Sequence, residues 1–175
     1  MRRQSHSKVT ADAPSRLQLL PFVEAAATVA DHSGLKPWRL IELRGDARRR
    51  LGAAFAEASG AQGKDAEKAA SKPLRAELLI AVVFVHKPSF KVPAWEQEAV
   101  ASGVAHTLSL LLDEAGWGVF WRTGILTRTE PVHRMHELAP NEQLLGWLYV
   151  GGLPEKTKSD RRKRLEVGRY ITTLT

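Results

Sequence analysis

The 175-residue sequence contains no cysteine, which removes disulfides, thiolate metal sites and cysteine nucleophiles from the chemistry open to it. Long apolar runs are missing too. The longest uncharged apolar stretch, Leu78 to Val85, falls far short of the ~20 residues that span a bilayer. No hydrophobic signal core begins the chain, because Leu17 to Phe22 is short and interrupted by Gln18 and Pro21. The expected compartment is therefore the cytoplasm. No G-x-G-x-x-G fingerprint occurs, so there is no sign of a dedicated dinucleotide domain. No serine sits in a G-x-S-x-G elbow, and hydrolase chemistry has no support. His133 and His136 have the i, i+3 spacing of a metal pair, but no third ligand is recognisable, so no metal is expected.

What is present is ordinary for a globular chain: 43% hydrophobic and 26% charged residues. A single domain over residues 1–175 is the simplest reading, large enough to bury around 70% of its unfolded surface. The net charge of +7 raises nucleic acid or anionic ligands as partners. Residues 155–169 alone hold seven basic and three acidic groups. No helix-turn-helix, zinc knuckle or aromatic platform accompanies them, so Arg161-Arg162-Lys163-Arg164 reads as a solvated face or tail, and nucleic acid is not the expected partner.

The centre of the chain is VPAWEQEAVASGVAHTLSLLLDEAGWGVFWRTG, Val92 to Gly124. Pro93 suits a helix start, and Gly116 a left-handed stop. The span from Trp95 to Glu114 reads as a helix about 30 Å long. Ala99, Ala101, Ser102, Gly103 and Ala105 make its first half small, and Leu108, Leu110, Leu111 and Leu112 face several ways. A helix apolar most of the way round is a buried one. Trp117 to Trp121 follows as a strand delivering Arg122 and Thr123 to its far end.

Around this centre, Leu17 to Val29 reads as a helix that breaks at Asp31-His32-Ser33-Gly34. Trp38 to Leu43 alternates as a strand. Ala47 to Ala58 is an amphipathic helix with Arg48 to Arg50 facing water, and Ala61 to Ser71 is helical only in part. The valine-rich run Leu78 to His86 has the pattern of a central strand covered on both faces. A short helix spans Pro131 to Leu138, and Leu144 to Val150 is another strand. Arg169 to Leu174, RYITTL, could pair with a sheet edge. Taken alone, the basic, hydroxyl-rich residues 1–9, with two arginines, two serines and Lys8, could grip a phosphate by charge-assisted hydrogen bonds, but read first as a loose terminus. The order of elements predicts helices packed on a four- or five-stranded sheet.

Four pieces in order resemble the nitroreductase family, most closely its compact branch of NAD(P)H nitroreductases. They are Arg3-Gln4-Ser5, DHSGLKPW at Asp31 to Trp38, KVPAWEQE at Lys91 to Glu98, and GVFWRTG at Gly118 to Gly124. LLGWLYVGGLP, Leu144 to Pro154, matches the family's last core strand. The resemblance implies an α+β fold, a three-layer α/β/α sandwich with a mixed sheet flanked by helices and the long helix at a dimer core. It also implies an FMN-dependent homodimer with the flavin held between subunits. Carried over by position, Arg3, Gln4 and Ser5 fall where the family binds the flavin phosphate and ribityl chain. Thr28 and His32 fall where the partner subunit contributes, and Trp121, Arg122 and Thr123 where the chain passes beside the flavin. The expected reaction moves electrons from NAD(P)H to a nitroaromatic or quinone-like small molecule in two half-reactions, with no obligate catalytic side chain.

Three departures stand out. Gln4 replaces a usual arginine and removes one charge. Lys36 stands where a glutamine usually precedes Pro-Trp. Members usually begin with an amphipathic helix ahead of the first motif, whereas only Met1 and Arg2 precede it here. These departures motivate a rival: a catalytically weak flavin-binding or storage protein of the same fold, its basic tail holding an anionic partner.

Overall fold

The structure is a computed structural model describing residues 3–155 and 165–174. Its order is α1 (Arg16–Ala26), β1 (Trp38–Leu43), α2 (Asp46–Ser59), α3 (Gly63–Ser71), β2 (Leu78–Val85), α4 (Ala94–Glu114), β3 (Trp117–Arg122), α5 (Glu130–Met135) and β4 (Glu142–Gly152). The strands form one sheet in the order β1-β2-β4-β3. Period-two alternation sends side chains to opposite faces of it. One set, Leu78, Ile80, Val82, Val119, Leu148 and Val150, packs under α1 and α4. The other, Leu79, Ala81, Val83, Leu144, Trp147 and Tyr149, packs against Leu51, Phe55, Ala69 and Val132 from α2, α3 and α5. That is the expected α+β three-layer sandwich.

Every strand pairing in the sheet is antiparallel, so among the described residues the sheet is not the mixed one that the resemblance implied. A parallel neighbour would need another strand, and Ile171 to Leu174 adds none. The RYITTL segment instead begins as a 3-10 turn, Val167–Tyr170, and its side chains are exposed. The run Arg161 to Arg164 lies outside the described residues.

The local causes are legible. Ser15 accepts from the Gln18 N–H while the Gln18 side chain accepts from the Ser15 N–H, a capping box that starts α1. The helix carries Pro21 in its interior, at the sixth of its 11 residues. All eight residues of β2 are buried, as its unbroken apolar run requires. Gly116 adopts φ +85 and ends the turn between α4 and β3.

Two expectations about helix faces need correction. Arg48 does not face water. It is 7% exposed, because α2 lies against the start of β2, where its guanidinium donates to the Ala76 carbonyl and to Glu77. Nor does the single chain bury α4 all round. Val100, Ala101, Val104, Ala105, Leu108 and Leu112 face the core, whereas Trp95, Ala99 and His106 are exposed and Ser102, Gly103 and Leu110 half-buried. The spacing of those residues is a second helical stripe, covered in one chain only in part, by Val29 over Gly103 and Trp121 against His106.

Candidate functional site

β3 is an edge strand, and its alternation separates the two residues at its end. Trp121 faces the α4 layer, its ring edge-on to His106 with centroids 4.9 Å apart. Its indole nitrogen is buried, with no hydrogen-bond partner among the described residues. Arg122 faces the other way. Its guanidinium lies 4.6 Å from the Phe120 ring centroid and 5.2 Å from that of Tyr149, a cation held on aromatic faces. Arg122 and Thr123 line a cleft of about 150 Å³ with Lys72, Phe55, Ile125, Trp147 and Tyr149. Burial pushes the Tyr149 phenol up to about 12, against the pull of Arg122 and Arg75 toward the phenolate.

The N-terminal segment runs along this same edge. The His6 N–H donates to the Val119 carbonyl at 3.0 Å, Thr10 N–H to Gly152 at 2.8 Å, and Gly152 N–H to Asp12 at 2.8 Å. Gly118 and Gly151 permit the approach, since a Cβ on either would meet Val9 at under 3 Å. His6 further faces Asp113 of α4 at 3.8 Å. Residues 1–9 therefore depart from the loose terminus they suggest in isolation: from residue 3 onward they are tied to the sheet. The segment runs opposite to β3, which carries Arg3, Gln4 and Ser5 toward the Arg122 end. There the Arg3 guanidinium sits 3.4 Å from the Ser5 hydroxyl. Beside them Ser7, Lys8, Val9 and Arg75 line an open hollow of about 530 Å³.

The two remaining predicted residues lie elsewhere. Thr28 lies in the turn just past α1, its hydroxyl donating to the Ala25 carbonyl. His32 is exposed, with Nδ1 2.9 Å from Glu96 Oε2 at the start of α4. Between them and β1, the Asp31 carboxylate accepts from the Leu35 and Lys36 N–H groups at 3.2 and 2.7 Å. That cap holds Ser33, Gly34 and Lys36 at positive φ, and leaves Lys36 exposed. Among the described residues no hydrogen bond or ion pair joins Thr28 or His32 to the other six. One chain thus assembles Arg3, Gln4, Ser5, Arg122 and Thr123 along one sheet edge, Trp121 across the sheet from Arg122, and Thr28 with His32 on the partly covered side of α4.

Sequence reading missed Lys72 and Arg75, and weighed Lys8 only as one of the N-terminal groups that could grip a phosphate, behind the loose-terminus reading. None sits in a motif; a 3-10 turn at Lys72–Arg75 and the N-terminal crossing bring them to the edge. Among the described residues Arg3, Lys8, Lys72, Arg75 and Arg122 have no carboxylate within ion-pair distance, whereas Arg16, Arg39, Arg44, Arg48, Arg49 and Arg134 each do. Unpaired cations, a hydroxyl and aromatic walls suit a ligand that is anionic at one end and planar at the other. His133 and His136 serve the fold instead: each has a ring nitrogen bonded to a backbone carbonyl, of Thr127 and Val132 respectively.

Comparison with known proteins agrees with this architecture. The model of the nitroreductase family matches residues 1–152. The Escherichia coli protein named "Putative NAD(P)H nitroreductase YdjA" is 32% identical over 152 residues, covering 85% of this chain and 83% of that protein. Among solved structures, a nitroreductase-like family protein from Bacillus cereus superposes with a TM-score of 0.83 at 18% identity, covering 98% of this chain and 91% of that one. The FMN and NADPH-dependent nitroreductase NfnB from Sphigopyxis sp. strain HMH gives 0.76 at 14% identity, with 99% and 96% covered.

Proposed function

Because the chain belongs to the nitroreductase family, we propose that it is an FMN-dependent oxidoreductase. It passes electrons from NAD(P)H to small nitroaromatic or quinone-like acceptors in two half-reactions. The observation that carries this reading is the row of unpaired cations on the β3 edge, set beside the aromatic walls of the Arg122 cleft. A cleft of about 150 Å³ is smaller than the roughly 300–1,000 Å³ of ordinary ligand pockets. A second copy supplying the missing wall accounts for that, and for the partly covered α4 stripe. The active unit is therefore a homodimer of single-domain chains spanning residues 1–175, working in the cytoplasm.

Each residue then has a physical task. Arg3 and Ser5, with Gln4 between them, hold the phosphate and ribityl end by charge-assisted hydrogen bonds. Lys8 and Arg75 extend the positive field along it. Arg122 and Lys72, which line the cleft, would stabilise negative charge developing on the bound ring. Trp121 and Thr123 shape the wall beside the ring, and Thr28 and His32 complete the site of the other subunit. FMN supplies the chemistry of accepting hydride and returning electrons, while the protein supplies position and electrostatics. With no dinucleotide fingerprint in the chain, NAD(P)H and the acceptor would share the one cleft beside Arg122 in turn.

The test is FMN affinity by fluorescence quenching. Arg3→Ala and Arg122→Gln should each weaken binding by about 1.5–3 kcal/mol, the loss of one charged hydrogen bond. Affinity unchanged in both would refute the assignment.

A further inference from the structure

Trp147 forms part of the cleft wall beside Arg122, and its indole is anchored from behind. Its Nε1–H donates to His136 Nε2 at 3.0 Å. A nitrogen that accepts cannot carry the proton, so the ring proton of His136 is on Nδ1. That Nδ1–H donates to the Val132 carbonyl at 2.7 Å. One tautomer satisfies the indole and a carbonyl of α5 at once. Phe55 of α2 closes the arrangement edge-on to Trp147, with centroids 5.1 Å apart.

The imidazole is held neutral as well as oriented. His136 is 5% exposed, and burial lowers its affinity for a proton, with His133 and Arg39 acting in the same sense. The hollow it walls is also lined by Arg39 and Glu42 from β1, Arg50 from α2, and Glu137 just past α5. Arg39 is forked onto Glu142 of β4, and among the described residues no carboxylate bonds the imidazole; the Val132 carbonyl favours the cation, but burial outweighs it.

We propose that His136 is a positioning residue: through Trp147 it fixes the wall of the Arg122 cleft, and so sets how tightly the cleft holds its ligand. The ligand half of this rests on the flavin reading above; the anchor half does not. Glutamine can reproduce both hydrogen bonds, with its amide N–H toward Val132 and its carbonyl toward Trp147. Leucine can reproduce neither.

The test pairs the indole N–H resonances in a nitrogen–proton NMR spectrum with FMN titration of the same full-length samples. Wild type should show one Trp147 N–H protected from solvent exchange, assigned by its loss in Trp147→Phe. His136→Gln should keep that resonance and wild-type affinity. His136→Leu should lose the protection and bind FMN about fivefold to tenfold more weakly, the effect of one buried hydrogen bond. Trp147→Phe should match it, and the double variant should be no worse than either single one, because the two residues act as a unit. Leu108→Ala, across the sheet, should weaken the fold and leave affinity alone. Equal affinity loss in the leucine, glutamine and Leu108→Ala variants would overturn the positioning role. Should the wild type bind no FMN, the flavin reading fails. The indole then still decides the anchor: kept in glutamine and lost in leucine upholds it, and the same behaviour in both overturns it.

Discussion

Gly146 offers the sharpest test of how β3 is held. The β2–β4 register runs Val82 opposite Gly146 and then Val83 opposite Leu144, so Leu145 is an extra residue and the strand bulges there. Gly146 takes φ +139. A Cβ at this position would stand 2.3 Å from the Arg122 carbonyl oxygen and 2.9 Å from the Trp121 indole nitrogen. Gly146→Ala therefore carries two costs. At φ +139 the backbone lies outside the left-handed helical well, in a region that costs a side-chain residue about 1–2 kcal/mol, and forcing β3 off β4 costs a further 1–3 kcal/mol or so. The sum, about 2–5 kcal/mol, is a large share of the 5–15 kcal/mol typical of a whole domain. Urea unfolding should show a lower midpoint with an unchanged slope. FMN affinity should fall too, because the displaced atoms belong to the Arg122 end of β3. A stability loss under about 0.5 kcal/mol, the range of an ordinary surface change, would refute the reasoning.

Gln97 is 1% exposed, and its amide pairs with the Lys87 N–H, the Lys87 carbonyl and the Val92 carbonyl, each at 2.9 Å. Gln97→Leu should cost about 2–4 kcal/mol by leaving these loop groups without a partner, and an unshifted thermal midpoint would contradict this. The Arg39 hydrogen bonds hold the Glu142 carboxyl below the ordinary 4.5. Their contribution is present above that pH and lost as pH falls through the lowered value. Glu142→Gln should thus lose about 0.5–2 kcal/mol at pH 7, discounted for the partly exposed guanidinium, and the gap to wild type should close in acid. His136 has the opposite charge type: its folded value lies below the ordinary 6.5, so the unfolded chain binds the extra proton first. Stability should fall as pH drops below 6.5, by about 1.4 kcal/mol per unit until the folded value is reached. That component should be missing in His136→Gln, and identical pH profiles would rule it out.

The architecture was legible where local chemistry agreed with tertiary demand. Trp38 to Leu43 admits Arg39 and Glu42 because β1 is an edge strand and mostly half-buried, and Leu78 to Val85 is apolar throughout because β2 is central and covered on both faces. Proline before α4 and glycine after it marked its ends to within a residue. What escaped was set by distance in sequence. Arg48 looks like its neighbours Arg49 and Arg50, yet only its position meets the Ala76 carbonyl. Lys72 and Arg75 reach the site through a turn with no motif of its own. The α4 stripe read as buried because small and apolar residues recur on both of its faces, although only one of them meets the core of the chain. Trp121 and Arg122 are adjacent in the motif, but strand alternation sends them to opposite faces. His136 carried an apparent metal spacing, although its acceptor role depends on Trp147, eleven residues away.

The central claim is most directly tested by the absorbance spectrum of the purified protein with FMN, recorded anaerobically before and after NADPH and then with a nitroaromatic. The account predicts bound flavin bands that bleach with NADPH and return with the acceptor. Flavin that stays bound but does not bleach would contradict the proposed enzyme and favour the storage protein. A protein that retains no FMN even in excess would contradict the assignment of the β3 edge itself.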